Sequence, residues 1–363
     1  MKVNNLKFFV LFLLLVFLSL IPTLLFSQVD TAWVRRYNGL GKGEDYATSI
    51  FVDRNGNVYV TGRSEGSGTG SDYATLKYDA NGNLLWERRY NDPGNNDDYA
   101  TSLFVDNQGN VYVTGCCYDS LTDYDYITLK YDGAGKLLWA RRYNGPGNGA
   151  DFAYDLFVDN QGNVYVTGYS YGSDTGYDYA TLKYDASGNL LWERRYKGRL
   201  DDYDKVTALF VDNQGNVYVT GGSYGSGTSY DYATLKYDAS GNLLWARRYN
   251  GPGNGEDYAY ALFVDNDGNV YVTGHSKGSG TNFDYATLKY DASGNLLWAR
   301  RYNGPGNGED ETLSFFVDNQ GNVYVTGGSR GSDTDYDYAT IKYTSRRSEY
   351  QRKDRKETNK KGR

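Results

Sequence analysis

The sequence predicts an all-β fold, a six-bladed β-propeller with four antiparallel strands per blade, and three observations carry that expectation. The first is a strict internal period: Trp33, Trp86, Trp139, Trp192, Trp245 and Trp298 follow one another at steps of 53 residues. The motif NVYVTG keeps the same step from Asn57 to Asn322 without an insertion, as a stack of identical units requires. The second is that each period holds four strand-like runs separated by turn signals, the number that makes one propeller blade. The third is composition: 39 Tyr and an aromatic fraction of 16% can bury a sizeable core, and Tyr, Thr and Val suit pleated strands. One His and two adjacent Cys leave little material for a zinc site, His-based catalysis or a disulfide framework.

Lys2 and Lys7 precede an apolar run from Phe8 to Ile21, and small Ser27 suits the position before a cut, so residues 1–27 are expected to be a secretory signal peptide. Leu25 is larger than such a cut prefers, which keeps an uncleaved anchor as the alternative; a cleaved signal leaves no membrane span. Residues 28–344 then form the propeller. The fifth copy shows the four runs best: DYAYALFVD from Asp257, NVYVTG from Asn269, DYATLKY from Asp284 and NLLWARRY from Asn295. DNDGN joins the first two runs and DASGN the last two; in both, Asp bonds the backbone ahead of it and Gly supplies a positive φ, as a tight hairpin needs. The final copy offers three runs, from Asp310, Asn322 and Asp337, whereas TAWVRRY from Thr31 is a fourth strand with no blade of its own. That segment is expected to close the last blade, so that no sheet edge is left open. Residues 345–363 hold nine Lys/Arg against three Asp/Glu and are expected to be a basic disordered tail.

The pattern Asp-x-x-Gly-Asn-Val-Tyr-Val-Thr-Gly, followed by a Tyr-rich strand and Gly-Asn-Leu-Leu-Trp, resembles the bacterial SBBP β-propeller repeat family, found in secreted and surface proteins. The resemblance covers residues 31 to about 344. It implies a propeller and export, and is nearly silent on activity. The family label suggests seven blades, whereas the copies in this chain number six.

Loops carry the variable chemistry of such a fold. The hairpin turns lie at one end of each blade; the longer connections, GSYGSGTSYD within a blade and YNGPGNGED between blades, lie at the other. Asp45, Asp98, Asp151, Asp204, Asp257 and Asp310 begin the innermost strand of every copy, so a propeller gathers them into a ring of six carboxylates near the channel mouth. Such a ring suits a polyhydroxyl ligand or Ca2+, an ion that wants several oxygen ligands. The competing reading gives each Asp local backbone N–H bonds or an Arg partner such as Arg88 or Arg89, and it is preferred because surface turns use Asp this way routinely. No other cofactor is expected. Tyr118, Tyr171, Tyr224 and Tyr230 sit in the Gly/Ser-rich connection and are the candidate ligand-binding aromatics, while the Trp residues are expected in inter-blade packing. Asp265 to Asn269 imitates the start of an EF-hand loop, but without the distant Glu and the flanking helices it reads as a turn. Cys116, Cys117 and His275 fall at or beside a position that is Arg63, Tyr169, Gly222 or Gly328 in other copies, which predicts an exposed and undemanding site. A lone His275 without a matched nucleophile makes no triad. The connection from Lys197 to Lys205 replaces NGPGNGEDY by KGRLDDYDK, through drift or as one specialised contact.

Charge narrows the partners. Removing Lys2, Lys7 and the +6 tail from the formal −7 leaves −15 on residues 28–344, and so acidic a body argues against a nucleic-acid partner. Near-identical blades present near-identical shallow sites, which suits avidity without tight single contacts. The expected function is a secreted or cell-surface, non-enzymatic binding or adhesion module, monomeric, presenting polar-aromatic loops to glycans or partner proteins. The alternatives are a purely structural surface scaffold and a carboxylate-dependent glycan hydrolase. Hydrolysis needs neighbouring carboxylates of unlike pKa, which near-copies of one blade do not supply.

Overall fold

A computed structural model describes residues 30–198 and 203–344. The expected signal peptide, the basic tail and residues 199–202 of the irregular connection lie outside the described residues. The chain divides into a unit ending at Arg36 and a second beginning at Tyr37; the sheets all belong to the second.

Among the described residues there are 23 strands and no helix. They form six antiparallel sheets in sequence order, five of four strands and one of three. In the first sheet the strands are Asp45–Val52, Val58–Glu65, Ser71–Tyr78 and Leu84–Tyr90; in the last they are Asp310–Val317, Val323–Arg330 and Tyr336–Tyr343. Each hairpin is built by the Asp that opens its turn. Asp159 Oδ1 accepts the backbone N–H groups of Gln161 and Asn163, both at 2.9 Å, and Oδ2 accepts Asn163 Nδ2 at 2.8 Å and the Tyr165 hydroxyl at 3.1 Å. Gly162 follows at φ +80°, where a side chain would be strained. Asp265 makes the same bonds to Asp267, Asn269 and Tyr271, so the EF-hand-like run is a turn. Asp159→Ala is expected to cost about 1–2 kcal/mol, because it strips partners from two backbone donors, and a urea titration would register that loss as a lower midpoint at unchanged slope.

The first strand of each complete period carries a bulge, between Ala153 and Asp155 in the third sheet. The bulge brings the Phe152 carbonyl under Gly168, where a Cβ would lie 1.9 Å from that oxygen, which explains why NVYVTG ends in Gly. The bulged residue also bridges sheets: Thr101 Oγ1 donates to Ala153 O of the next sheet at 2.9 Å.

The apolar core is divided into clusters that lie between successive sheets. Tyr165, Tyr179 and Trp192 of the third sheet pack on Val206, Val217, Val219 and Leu235 of the fourth. Trp86, Trp139, Trp192 and Trp245 are 7–8% exposed, as inter-blade packing requires. Polar locks cross the same seam. Trp192 Nε1 and Lys183 Nζ donate to Ala239 O at 3.3 and 3.2 Å, and Arg194 Nε donates to Gly241 O at 2.5 Å.

The ends of the array differ from its middle. The expected fourth strand of the last sheet is not formed: residues 31–37 carry no strand, and the sheet from Asp310 stays three-stranded. Every pairing that is formed joins strands adjacent in sequence, whereas this one must offset the closure entropy of nearly the whole chain between its partners. Two faces are bare as a consequence. Tyr338 is 100% exposed, against at most 1% for Tyr73, Tyr126, Tyr179, Tyr232 and Tyr285 at the same repeat position; Val52 is 56% exposed, against 4–7% for its five equivalents.

Candidate functional site

The connections gather at one end of the sheets, where the six Asp residues also lie. Each of these carboxylates accepts at least one local backbone N–H, and Oδ1 of Asp45 and of Asp98 has no hydrogen-bond partner among the described residues. Asp151 Oδ2 accepts Gly145 N at 2.5 Å and Oδ1 accepts Tyr171 N at 2.9 Å, so it ties the connection before its strand to the end of the strand beside it. Asp204, Asp257 and Asp310 make the same pair of bonds, while Asp98 accepts Asp92 N and Asp45 accepts Gly39 N. Asp98, Asp151, Asp204, Asp257 and Asp310 are at most 1% exposed. Among the described residues no group of three or more His, Cys, Asp or Glu is placed to hold a metal ion.

Arg88 and Arg89 have other partners than those Asp residues. Arg89 and its equivalents bond the Asp of the third strand in their own sheet: Arg195 Nη2 donates to Asp178 Oδ2 at 2.9 Å and to Ser170 O at 2.8 Å, and Nη1 to Ser170 Oγ at 2.6 Å. Arg88 reaches Gly135 O of the next sheet.

Burial raises Asp98, Asp151, Asp204 and Asp257 to about 6. A carboxyl raised in the folded state stabilises the fold fully below its unfolded value, and that contribution is lost as pH rises through about 6. Melting temperature is therefore expected to fall between pH 5 and pH 7.5, and Asp151→Asn to flatten that slope by roughly a fifth, since burial also raises Asp155 to about 6 and one of five such groups is removed. A profile that rises over this range would contradict the assignment.

The candidate tyrosines do come together: Tyr224 meets Tyr230, and Tyr118 and Tyr171 meet two further rings, Tyr124 and Tyr177. Tyr118, Tyr171 and Tyr224 stand edge-on to Tyr124, Tyr177 and Tyr230, with ring centres 5.2, 5.4 and 5.6 Å apart. Residues at the second position of each first strand extend these pairs into a belt: Tyr124 to Phe152 at 5.0 Å, Phe152 to Tyr169 at 5.2 Å, Tyr169 to Tyr177 at 5.0 Å, and further on Tyr230 to Tyr258 at 5.4 Å. The belt reaches solvent at Tyr171 and at Tyr154 and Tyr203, which meet Tyr169 and Tyr177 at 5.5 and 5.2 Å; these three are 40–46% exposed. The signal available in the sequence was the second residue of each DY or DF pair, which recurs at the 53-residue step beside the Asp.

The variable position after Val-Thr-Gly, expected to be exposed, is buried at Cys116, Tyr169, Gly222 and His275 and only partly exposed at Arg63 and Gly328. Cys116, Cys117, Tyr169 and His275 are 0–9% exposed, covered by the belt rings and by the first strand of the next sheet. The two cysteines are free thiols whose pKa burial pushes well up, which leaves them unreactive. Burial holds His275 down at about 4, hence neutral, and its Nδ1 shares a 2.7 Å hydrogen bond with the Tyr260 hydroxyl. Asp155 was also missed. It replaces the Ser or Ala of the other copies and links three sheets, accepting Leu209 N at 3.0 Å and Ser102 Oγ at 3.4 Å. At the opposite, hairpin end a cavity of about 600 Å³ lies between the fifth and sixth sheets; Asp265 and Asp318, which line it, are spent on their own turns.

Comparisons with known proteins agree with this architecture. The SBBP family, described as a beta-propeller repeat, matches residues 32–68, 138–174 and 244–284. The chain is 33% identical over 115 residues to the regulatory protein FlaEY of Caulobacter vibrioides, covering 28% of this chain and 12% of that protein. It is 23% identical over 202 residues to the uncharacterized WD repeat-containing protein L264 of Acanthamoeba polyphaga mimivirus, covering 41% of this chain and 14% of that protein. The chain thus spans about one seventh or less of the length of these curated relatives. Among solved structures, the β-propeller domain of the Trilobed protease from Pyrococcus furiosus aligns over 82% of each chain, with a TM-score of 0.46 and 9% identity. The chain thus carries the SBBP β-propeller repeat three times, in phase with intervening copies at the same 53-residue step.

Proposed function

We propose that the loop end is a multivalent binding surface for glycans or partner proteins, on an exported and non-enzymatic protein that works at the cell surface or in the medium. The observation that carries this reading is the half-exposed aromatic belt, repeated from sheet to sheet beside carboxylates already engaged with backbone. Flat rings flanked by Ser, Asn and Asp offer stacking and adaptable hydrogen bonds together. A hydrolase is disfavoured because the buried Asp residues share one environment and one direction of pKa shift, whereas acid and base roles need unlike neighbours. Since those carboxylates bond backbone N–H groups, melting and binding are expected to be indifferent to Ca2+ and to chelator.

The test is a glycan array with the exported chain, with and without Ca2+. Reproducible binding to one sugar class, weakened about tenfold by Tyr171→Ala, as the loss of one stacked ring would give, supports the reading. Hydrolysis of any glycan would overturn its non-enzymatic part. A blank array joined to a failure to capture any envelope protein would leave the scaffold alternative standing instead.

We also infer that the six sheets close into a monomeric six-bladed ring, with residues 31–37 as the fourth strand of the last blade. The repeat step assigns each contact. Arg36, one period before Arg89, would bond Ser329 and Asp337 as Arg89 bonds Ser64 and Asp72. Tyr338 would donate to Ala74 O as Tyr285 donates to Ala339 O. Closure covers both bare faces at once, because each is one half of an interface that the chain already makes between its other blades.

A further inference from the structure

We propose that the aromatic belt holds a cation site between the second and third sheets, and that its ligand is a Lys or Arg side chain of a partner polypeptide. This rests on the reading of the loop end as a binding surface, and it names the chemistry that surface selects. The belt already binds such groups from its own chain. The Arg63 guanidinium lies 4.7 Å from the Tyr46 ring and 5.3 Å from Tyr99; Lys205 Nζ lies 5.4 Å from Tyr169 and 5.9 Å from Tyr203; Lys277 Nζ lies 5.2 Å from Phe283. The Arg63 and Lys205 contacts serve the first and third inter-sheet positions, while Lys277 covers Phe283 within the fifth sheet.

At the second position Arg63 stands over Tyr99 alone, and the Tyr124 and Phe152 rings beside it carry no cation among the described residues. Lys205 occupies the repeat place that Phe152 holds one sheet earlier. There Tyr124 stacks on Tyr99 at 5.8 Å, meets Phe152 at 5.0 Å and takes Tyr118 edge-on at 5.2 Å, all four partly exposed. Among the described residues no Lys or Arg stands over Tyr124 or Phe152. Two carboxylates flank the rings: Asp97, which interacts with the Tyr99 hydroxyl, and exposed Asp123, whose Oδ1 accepts Tyr124 N at 2.9 Å. An aromatic face bordered by carboxylates selects ammonium or guanidinium over a neutral sugar. A polypeptide source is favoured because the belt's own occupants are Lys and Arg side chains, and because a body of charge −15 draws in a basic segment.

The experiment is binding of an octa-arginine peptide to the full chain by fluorescence anisotropy near physiological salt. Phe152→Lys copies the Lys205 arrangement and is expected to weaken binding about tenfold. Gln161→Lys, the same charge change at the hairpin end, should leave it within about twofold. Tyr124→Leu, with no change of charge, should match Phe152→Lys at an unaltered melting temperature. Equal weakening by both Lys variants, or none by Tyr124→Leu, would reveal diffuse attraction to an acidic body and overturn the site. A glycan bound at the loop end by a chain that ignores the peptide would overturn it too, while the wider binding reading stood. If neither binds, the site falls, and the wider binding reading falls with it once no envelope protein is captured either.

Discussion

Replacing Arg195 by Ala is expected to remove about 3–5 kcal/mol of stability, the cost of leaving a buried charge without its partner. The guanidinium bonds Asp178 at 2.9 Å, Ser170 Oγ at 2.6 Å, Ser170 O at 2.8 Å and the Tyr143 hydroxyl at 3.1 Å. Asp178 is 4% exposed, so water cannot replace what is lost. Tyr143 belongs to the preceding sheet and donates onward to Glu193 Oε1 at 2.6 Å, so the same side chain joins two blades. A fall in melting temperature of roughly 5–10 °C should follow. Arg195→Lys should recover less than half of it, because an ammonium cannot reproduce the planar fork. A loss below about 1 kcal/mol would mean that this is an ordinary solvated ion pair.

Tyr338→Ala is expected to cost about 3–5 kcal/mol, as much as Tyr179→Ala. The comparison is informative because the two side chains share a repeat position and differ in surroundings. Tyr179 is 1% exposed and donates to Ala233 O, whereas Tyr338 is bare unless the ring is closed. On an open array the Tyr338 change would fall within about 0.5 kcal/mol, as exposed substitutions usually do. Urea titrations of the two variants beside the parent chain decide between these values, and Tyr338→Phe separates the hydroxyl bond from the packing.

What the sequence shows plainly is what depends on local spacing. The strand expected from Asp257 runs to Val264, that of NVYVTG begins at Val270, and the Asp-Asn-x-Gly-Asn and Asp-Ala-Ser-Gly-Asn turns form as hairpins, because each element is completed within a few residues of itself. Asp151, Asp204, Asp257 and Asp310 accept backbone N–H groups 6 and 20 residues away, and Asp45 and Asp98 accept one 6 residues away. Misplaced features depend on neighbours a full period distant. Cys116 and His275 looked undemanding because their variety was visible and the rings covering them were not. Arg89, offered by the sequence as one possible partner for the first-strand Asp, bonds Asp72 of the third strand instead, because strand register decides which carboxylate it meets. Closure by residues 31–37 is the longest-range pairing of all, and the described sheets do not include it.

Closure is the central proposal, because it would set the loop ends of all the sheets around one mouth. The pairing of Thr75 with Arg88 in the first sheet transfers by the repeat step to Thr340 with Arg35. A chain carrying Arg35→Cys and Thr340→Cys, oxidised at low concentration and run on a non-reducing gel, tests it directly. Cys116 and Cys117, buried in the second sheet, should not compete. The ring predicts a single intramolecular disulfide and a compact monomer that migrates faster than its reduced form. Free thiols that do not join, or disulfide-linked oligomers in place of that monomer, would contradict it.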